Sequence, residues 1–200
     1  MIKRILVAAL ALAALAPATT AFAGSQPGFI GCQFPPSSGN DLKWEDATTS
    51  VQYSNAAAAA IQDWNSSSTQ FNLAKVNSGA NIRVANGNFG AVWMNLELWG
   101  VTLNTSKEVP TTSCKDNDQR WDTTIVTWLN TYYMNSSTTN KRKAIYVHEI
   151  GHALGLAHTN DKNTCDISIM QIDIVDKYET CGKISSPQPE DVAAANYLYG

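Results

Sequence analysis

Histidine is scarce in this chain of 200 residues, which contains only His148, His152 and His158. All three lie within eleven consecutive positions. No histidine remains elsewhere for a Ser-His or Cys-His couple, so the sequence argues against a nucleophilic catalytic triad. Any histidine chemistry is therefore concentrated in one short segment.

Closely spaced cysteine pairs are also missing. Cys32, Cys114, Cys165 and Cys181 are at least 16 residues apart, whereas zinc sites built from thiolates usually take their ligands in close pairs. The four cysteines therefore do not form a zinc cluster. In an oxidising compartment, an even number of cysteines indicates two disulfides, and four cysteines allow three connectivities.

Charged residues are few, at 16% of the chain, with 14 basic and 17 acidic side chains. The charges are scattered and the balance is mildly acidic, so we expect no nucleic-acid partner. Beyond the N-terminal region, no segment is long and apolar enough to cross a bilayer, so we expect no membrane association.

The one pronounced apolar run lies at the N-terminus. Lys3 and Arg4 precede an apolar stretch over residues 5–16, and Ala21-Phe22-Ala23 follows it. This order of basic, apolar and small residues is typical of a secretory signal peptide, and a run of about 12 residues is too short to span a membrane. We therefore predict a signal peptide over residues 1–23, a secreted extracellular product, and a single domain over residues 24–200.

Local patterns predict the main helices and strands. Helices are predicted over residues 54–65, from a start within 137–141 to Gly155, and over 187–200. Strands are predicted over residues 71–76 and 81–85, within 91–103, and over 123–133. We predict that Ser54 caps the first helix and that Gly155 takes the left-handed conformation that ends the second.

The segment HEIGHALGLAH, residues 148–158, carries the chemistry. On a helix, His148 and His152 are one turn apart, so their imidazoles share a face and can reach one ion. Gly155 lets the chain reverse, which allows His158 to become a third ligand. Three neutral imidazoles leave an open position on zinc for a water of lowered pKa, and Glu149 beside them can act as the general base. The sequence therefore predicts one catalytic Zn²⁺.

These residues resemble the HExxHxxGxxH motif of the metzincin zinc endopeptidases, and of their matrixin branch in particular. Ile169-Met170, 12 residues after His158, resembles the Met-turn beneath the zinc, and residues 190–200 resemble the closing helix of matrixins. The resemblance implies an α+β catalytic domain. It would have a twisted, mostly parallel sheet with one antiparallel edge strand, a zinc helix and a C-terminal helix, with Gly155 and Met170 supporting the site.

The same resemblance implies a zinc metalloendopeptidase in which a zinc-bound water attacks the peptide bond and Glu149 moves the proton. A protein or peptide substrate would pair with a sheet edge within residues 96–103, and we expect a monomer. Calcium binding stays open, since no calcium loop is readable. One alternative is a secreted binding protein in which the metal only stabilises the fold, as a staple would. Another is a zinc hydrolase of non-protein amides. The general base Glu149 favours an enzyme over a binding protein.

The resemblance also bears on the cysteines. Cys165 and Cys181 flank Met170 and the segment that walls the specificity pocket in matrixin-like folds, which favours a Cys165–Cys181 disulfide. Cys32 and Cys114 would then form the second bond. The competing interpretation leaves Cys32 as a free thiolate on the zinc, similar to a matrixin cysteine switch.

Overall fold

The structure is a computed structural model. It describes residues 27–35, 41–108, 120–159, 165 and 168–200. The predicted signal peptide, residues 1–23, and Cys114 lie outside these residues. The elements, in chain order, are β1 (Asp41–Ala47), α1 (Val51–Ser66), β2 (Asn72–Lys75), β3 (Ile82–Gly87), β4 (Gly100–Asn104), β5 (Ile125–Asn130), α2 (Thr131–Met134), α3 (Thr139–Ala153), α4 (Ile174–Thr180) and α5 (Pro189–Tyr199).

The sheet has five strands in the order β2-β1-β3-β5-β4. The pairs β1–β2, β1–β3 and β3–β5 are parallel, and β4 pairs antiparallel with β5 at one edge. The predicted α+β fold, with a mostly parallel sheet and one antiparallel edge strand, is confirmed. Among the described strands, β4 therefore forms one edge of the sheet.

Helix α1 packs against α3 through small side chains. Ala56, Ala57 and Ala60 are fully buried, which lets the two helices approach closely, and the Trp64 indole nitrogen donates to the Val147 carbonyl of α3 at 3.1 Å. The predicted start of this helix at Ser54 was wrong. The helix begins three residues earlier, and the Ser54 hydroxyl instead donates to Asp46 at 2.6 Å.

Strand β5 is shorter than its composition predicts. The β-branched and aromatic content favoured a strand over residues 123–133, but the strand ends at Asn130. The Asn130 side chain accepts a hydrogen bond from the Tyr132 backbone amide at 3.1 Å, which caps the short helix α2. Capping by an asparagine therefore outweighs β propensity at this position.

Helix α5 closes the domain and begins as the sequence indicates, with Pro189 in its first turn. Gln188 and Asp191 form a capping box in which the Asp191 carboxylate accepts from the Gln188 backbone amide at 2.8 Å. Asp191 is completely buried, so this helix start reaches into the core. Among the described helices, none combines the length and apolar character needed to cross a membrane.

Candidate metal centre and active site

Helix α3 and the turn that follows it bring the three histidines together. His148 and His152 lie one turn apart on α3, and the helix ends at Ala153 with Leu154 as its C-cap. Gly155 has φ +101°, the left-handed conformation predicted for it. A side chain at Gly155 would also collide with the Cys32 carbonyl oxygen. The chain reverses here, and His158 returns to the two helical histidines.

The three Nε2 atoms converge on one point. His152 Nε2 lies 3.1 Å from His148 Nε2 and 3.1 Å from His158 Nε2, and the third pair is 3.2 Å apart. Tetrahedral coordination with Zn–N bonds of about 2.0–2.1 Å separates neighbouring ligand nitrogens by about 3.3 Å. Both the spacing and the three-imidazole donor set therefore fit a zinc ion. Within the described residues, these histidines are the one group of potential metal ligands.

Backbone carbonyls orient two of the rings. His148 Nδ1 lies 2.8 Å from the Ile169 carbonyl oxygen, and His152 Nδ1 lies 2.8 Å from the Leu156 carbonyl oxygen. A carbonyl only accepts, so Nδ1 carries the proton in both rings, which leaves the lone pair of Nε2 available to a metal ion. The outer hydrogen bonds thus fix the tautomer that a ligand needs.

Burial keeps the histidines neutral. It holds the pKa of His148 well below its usual value, and the neighbouring rings of His152 and His158 push it in the same direction. Burial lowers the pKa of His152 to about 4, and it also lowers that of His158. Because a metal ligand must be deprotonated, these shifts favour metal binding over protonation.

Glu149 is buried beside the ligands, with 6% of its surface exposed. Its Oε2 accepts a hydrogen bond from the Thr102 hydroxyl of β4 at 2.7 Å. Burial raises the pKa of the carboxyl to about 8, while the Thr102 hydrogen bond opposes that shift. A carboxyl whose pKa lies near neutrality can both accept and release a proton.

The segment carrying Met170 runs directly beneath the metal helix. Met170 is completely buried, and its sulfur lies where a side chain at Gly151 of α3 would sit. Asp191 of α5 holds this segment, since its carboxylate accepts from the Ser168 hydroxyl at 2.6 Å and from the Ile169 amide at 2.9 Å. A polar connection therefore runs from α5 through Ile169 to His148. The sequence pointed to Met170 but not to Asp191.

The N-terminal segment, residues 27–33, supports the turn to His158. Phe29 forms an antiparallel bridge with Leu156, the Ile30 amide donates to the Gly155 carbonyl at 2.9 Å, and the Ala157 amide donates to the Gly28 carbonyl at 2.8 Å. The sequence indicated only an irregular lead-in here. The partner stretch lies over 120 residues away, so no local pattern could reveal the pairing.

A cavity of about 300 Å³ opens beside the histidines. Its walls are the edge strand β4, helix α3 and the segment after Met170, and it is lined by the three histidines, Glu149, Gly100 and Thr102, with apolar side chains that include Trp99, Val101, Ile145, Ile172, Ile174 and Val175. The metal ligands, the carboxyl group and the sheet edge thus face one apolar cavity.

The structure contains a disulfide between Cys165 and Cys181. Cys32 is also disulfide-bonded and is 3% exposed. A free Cys32 thiolate on the metal is therefore inconsistent with the structure. The predicted partner, Cys114, lies outside the described residues, so the Cys32–Cys114 pairing stays a prediction.

Comparison with known proteins places this site in a family. The matrixin peptidase family model matches residues 40–200, most of the chain. The chain therefore belongs to the matrixin family, a family of zinc metalloendopeptidases within the metzincins. Among solved structures, myroilysin is similar at 18% sequence identity and a TM-score of 0.40, over 63% of this chain and 52% of the myroilysin chain. The match thus spans about half of myroilysin's own length. No curated protein gave a significant match.

Proposed function

We propose that this protein is a secreted endopeptidase that uses one zinc ion held by His148, His152 and His158. The observation that carries the proposal is the convergence of three neutral Nε2 atoms, 3.1–3.2 Å apart, beside a buried carboxyl group in one cavity. Zinc bound there would act as a Lewis acid towards the scissile carbonyl and would lower the pKa of a water.

Glu149 is the proposed general base. Its Oε2 is held by Thr102, which leaves Oε1 to take the proton from the attacking water and then deliver it to the leaving amine nitrogen. Burial raises the pKa of this carboxyl in the metal-free protein. A cation bound beside it would favour the ionised form, which is the form that accepts the proton.

The edge strand β4 supports a peptide as the substrate. Among the described strands, β4 pairs with β5 alone and forms one edge of the sheet, where an extended peptide would add as a further strand. A peptide bound in this way would lie along the cavity, whose apolar walls suit an apolar side chain next to the scissile bond. Peptide-bond hydrolysis is thus favoured over cleavage of small non-protein amides.

Secretion is supported by the predicted signal peptide and by the disulfide chemistry. The Cys165–Cys181 bond and the disulfide-bonded Cys32 suit an oxidising compartment. We propose that residues 24–200 form the mature catalytic domain and act as a monomer.

The test uses the secreted protein with casein and a set of quenched fluorescent peptides. Cleavage should disappear when a chelator removes zinc and should return when Zn²⁺ is added back. A zinc-loaded protein that folds but cleaves neither substrate would favour the binding protein with a metal staple. Hydrolysis of acyl amides without hydrolysis of peptides would favour the second alternative.

A further inference from the structure

Strand β4 contacts the carboxyl group of Glu149 at two points. The Thr102 hydroxyl oxygen lies 2.7 Å from Glu149 Oε2 and 2.8 Å from the Glu149 backbone carbonyl oxygen. Thr102 is 8% exposed, so little water competes for these hydrogen bonds. Gly100, two residues earlier on the same face of the strand, lies beside the other carboxylate oxygen, Oε1.

The Thr102 hydroxyl has one proton and two acceptors within reach. An ionised carboxylate accepts more strongly than an amide carbonyl, so the hydroxyl donates to Oε2 while Glu149 is ionised. When Glu149 has taken a proton at Oε1, the hydroxyl can turn to the backbone carbonyl 2.8 Å away. Thr102 therefore keeps a hydrogen bond in both protonation states of the carboxyl group.

Gly100 provides space rather than an unusual backbone conformation. Its φ is not in the left-handed region, yet a Cβ atom at this position would lie 2.6 Å from Glu149 Oε1 and 2.7 Å from Ile145 Cγ2. Both distances are shorter than normal van der Waals contacts, so any side chain there would displace the carboxylate. The absence of a side chain at Gly100 leaves Oε1 open to the cavity.

We propose that Gly100 and Thr102 are positioning residues for the general base. Thr102 fixes Oε2, and Gly100 leaves Oε1 free to take the proton. This inference rests on the proposed peptidase function. The inference adds a second role for β4. The strand that is expected to pair with the substrate also positions the Glu149 carboxylate, so one element aligns the peptide bond with the oxygen that accepts the proton.

The test compares Thr102→Val, Thr102→Ser and a matched control, Thr127→Val. Thr127 pairs with Thr102 across the β4–β5 ladder and is completely buried, and its hydroxyl has no hydrogen-bond partner within the described residues. The two valine variants therefore remove the same group from neighbouring buried positions. They differ in whether that group touches Glu149.

We expect Thr102→Val to lower kcat by about 10- to 100-fold, as for a lost hydrogen bond to a charged group, with KM and zinc content unchanged. Thr102→Ser should restore most of kcat, because it keeps the hydroxyl. Thr127→Val should keep the wild-type kcat. Gly100→Ala should lower kcat with zinc retained, since it displaces the carboxylate and not the ligands.

A wild-type kcat in Thr102→Val, or an equal loss in Thr127→Val, would overturn the proposal. A measurement that does not depend on turnover tests the positioning role separately from the peptidase function. Crystal structures of zinc-loaded Thr102→Val and Thr127→Val should show a displaced Glu149 carboxylate in Thr102→Val only. An unmoved carboxylate in Thr102→Val would reject the positioning role even if the enzyme is a peptidase. A moved carboxylate in a protein without peptidase activity would leave the positioning intact and reject the function.

Discussion

At the scale of single residues, two neighbours on α3 have different tasks. In the proposed site, His148 would present the lone pair of Nε2 to zinc, while its Nδ1 contacts the Ile169 carbonyl oxygen. The Glu149 carboxylate instead contacts the Thr102 hydroxyl of β4. Both are nearly buried. Burial favours the neutral form of each, so it prepares one as a metal ligand and the other as a proton carrier.

Removal of the general base should separate these tasks. We expect Glu149→Ala to keep the fold and bound zinc but to lose turnover by about 10²–10⁴-fold, the usual contribution of general acid–base groups. Metal analysis and peptide cleavage on the same sample measure both quantities. Wild-type turnover in this variant would show that the proposed proton transfer is wrong.

Loss of the third proposed ligand should reduce zinc binding, in contrast to loss of the general base. We expect His158→Ala to weaken zinc binding itself, because two imidazoles remain where a catalytic site needs three protein ligands. Competition with a chromogenic chelator measures the affinity. Undiminished zinc affinity in His158→Ala would exclude His158 from the ligand set.

The sequence separation between contacting residues explains which site residues could be predicted from the sequence. His148, Glu149, His152 and Gly155 follow from helix periodicity and turn chemistry, because their contacts are local. Thr102 touches Glu149 across 47 positions and Asp191 touches Ile169 across 22. No short pattern predicts such contacts, since the register of β4 and the docking of α5 are set by the whole fold.

At the scale of elements, the N-terminal segment acts as a support for the last ligand. Its two backbone hydrogen bonds to Gly155 and Ala157 flank the turn that returns His158 to the metal. Ile30 also lines the cavity. This short stretch therefore contributes to the metal centre through its backbone and to the cavity through a side chain.

A proline substitution isolates the backbone contribution. Ile30→Pro removes the amide that donates to the Gly155 carbonyl, whereas Ile30→Ala keeps it and removes only the side chain. We expect the zinc dissociation constant to rise by about 3- to 10-fold in the proline variant relative to the alanine variant, in keeping with the loss of one hydrogen bond. Equal affinities in the two variants would mean that this hydrogen bond does not support the site.

The Cys165–Cys181 disulfide links two segments that lie on either side of Met170 in the sequence. The Cys165–Cys181 bond joins the segment before Met170 to the end of α4 and closes a loop of 16 residues, which is worth about 3 kcal/mol in the chain-entropy model. Non-reducing peptide mapping should give peptides linked through Cys165–Cys181 and Cys32–Cys114, with no free thiol. A free Cys32 thiol, in a latent form activated by thiol reagents, would establish a switch instead.

At the scale of the whole molecule, the buried Glu149 links stability to pH. Its pKa is about 8 in the folded metal-free protein, above the 4.5 of an exposed glutamate. Between these two values the folded state holds a proton that the unfolded state has released, so stability falls as pH rises from 4.5 to about 8 and levels off above that pH. Between pH 7 and pH 9 the loss from this group is about 1 kcal/mol.

Thermal unfolding of the metal-free protein at pH 7 and pH 9 tests this linkage. We expect the wild type to lose more Tm over that range than Glu149→Gln, which cannot ionise. Zinc should weaken the dependence, because a nearby cation favours the ionised carboxylate. Identical pH dependence in the two metal-free proteins would show that Glu149 titrates normally.

The pairing of residues 28–30 with residues 155–157 joins the N-terminal segment to the turn before His158. Contacts of such long sequence separation require closure of a very large loop, at a cost in chain entropy. A chain cut before Ile169 keeps the three histidines and the pairing of residues 28–30 but lacks the carbonyl that orients the His148 ring. The arrangement of the histidines therefore depends on chain that lies both before and after residues 148–158, and a fragment limited to that segment would lack both supports.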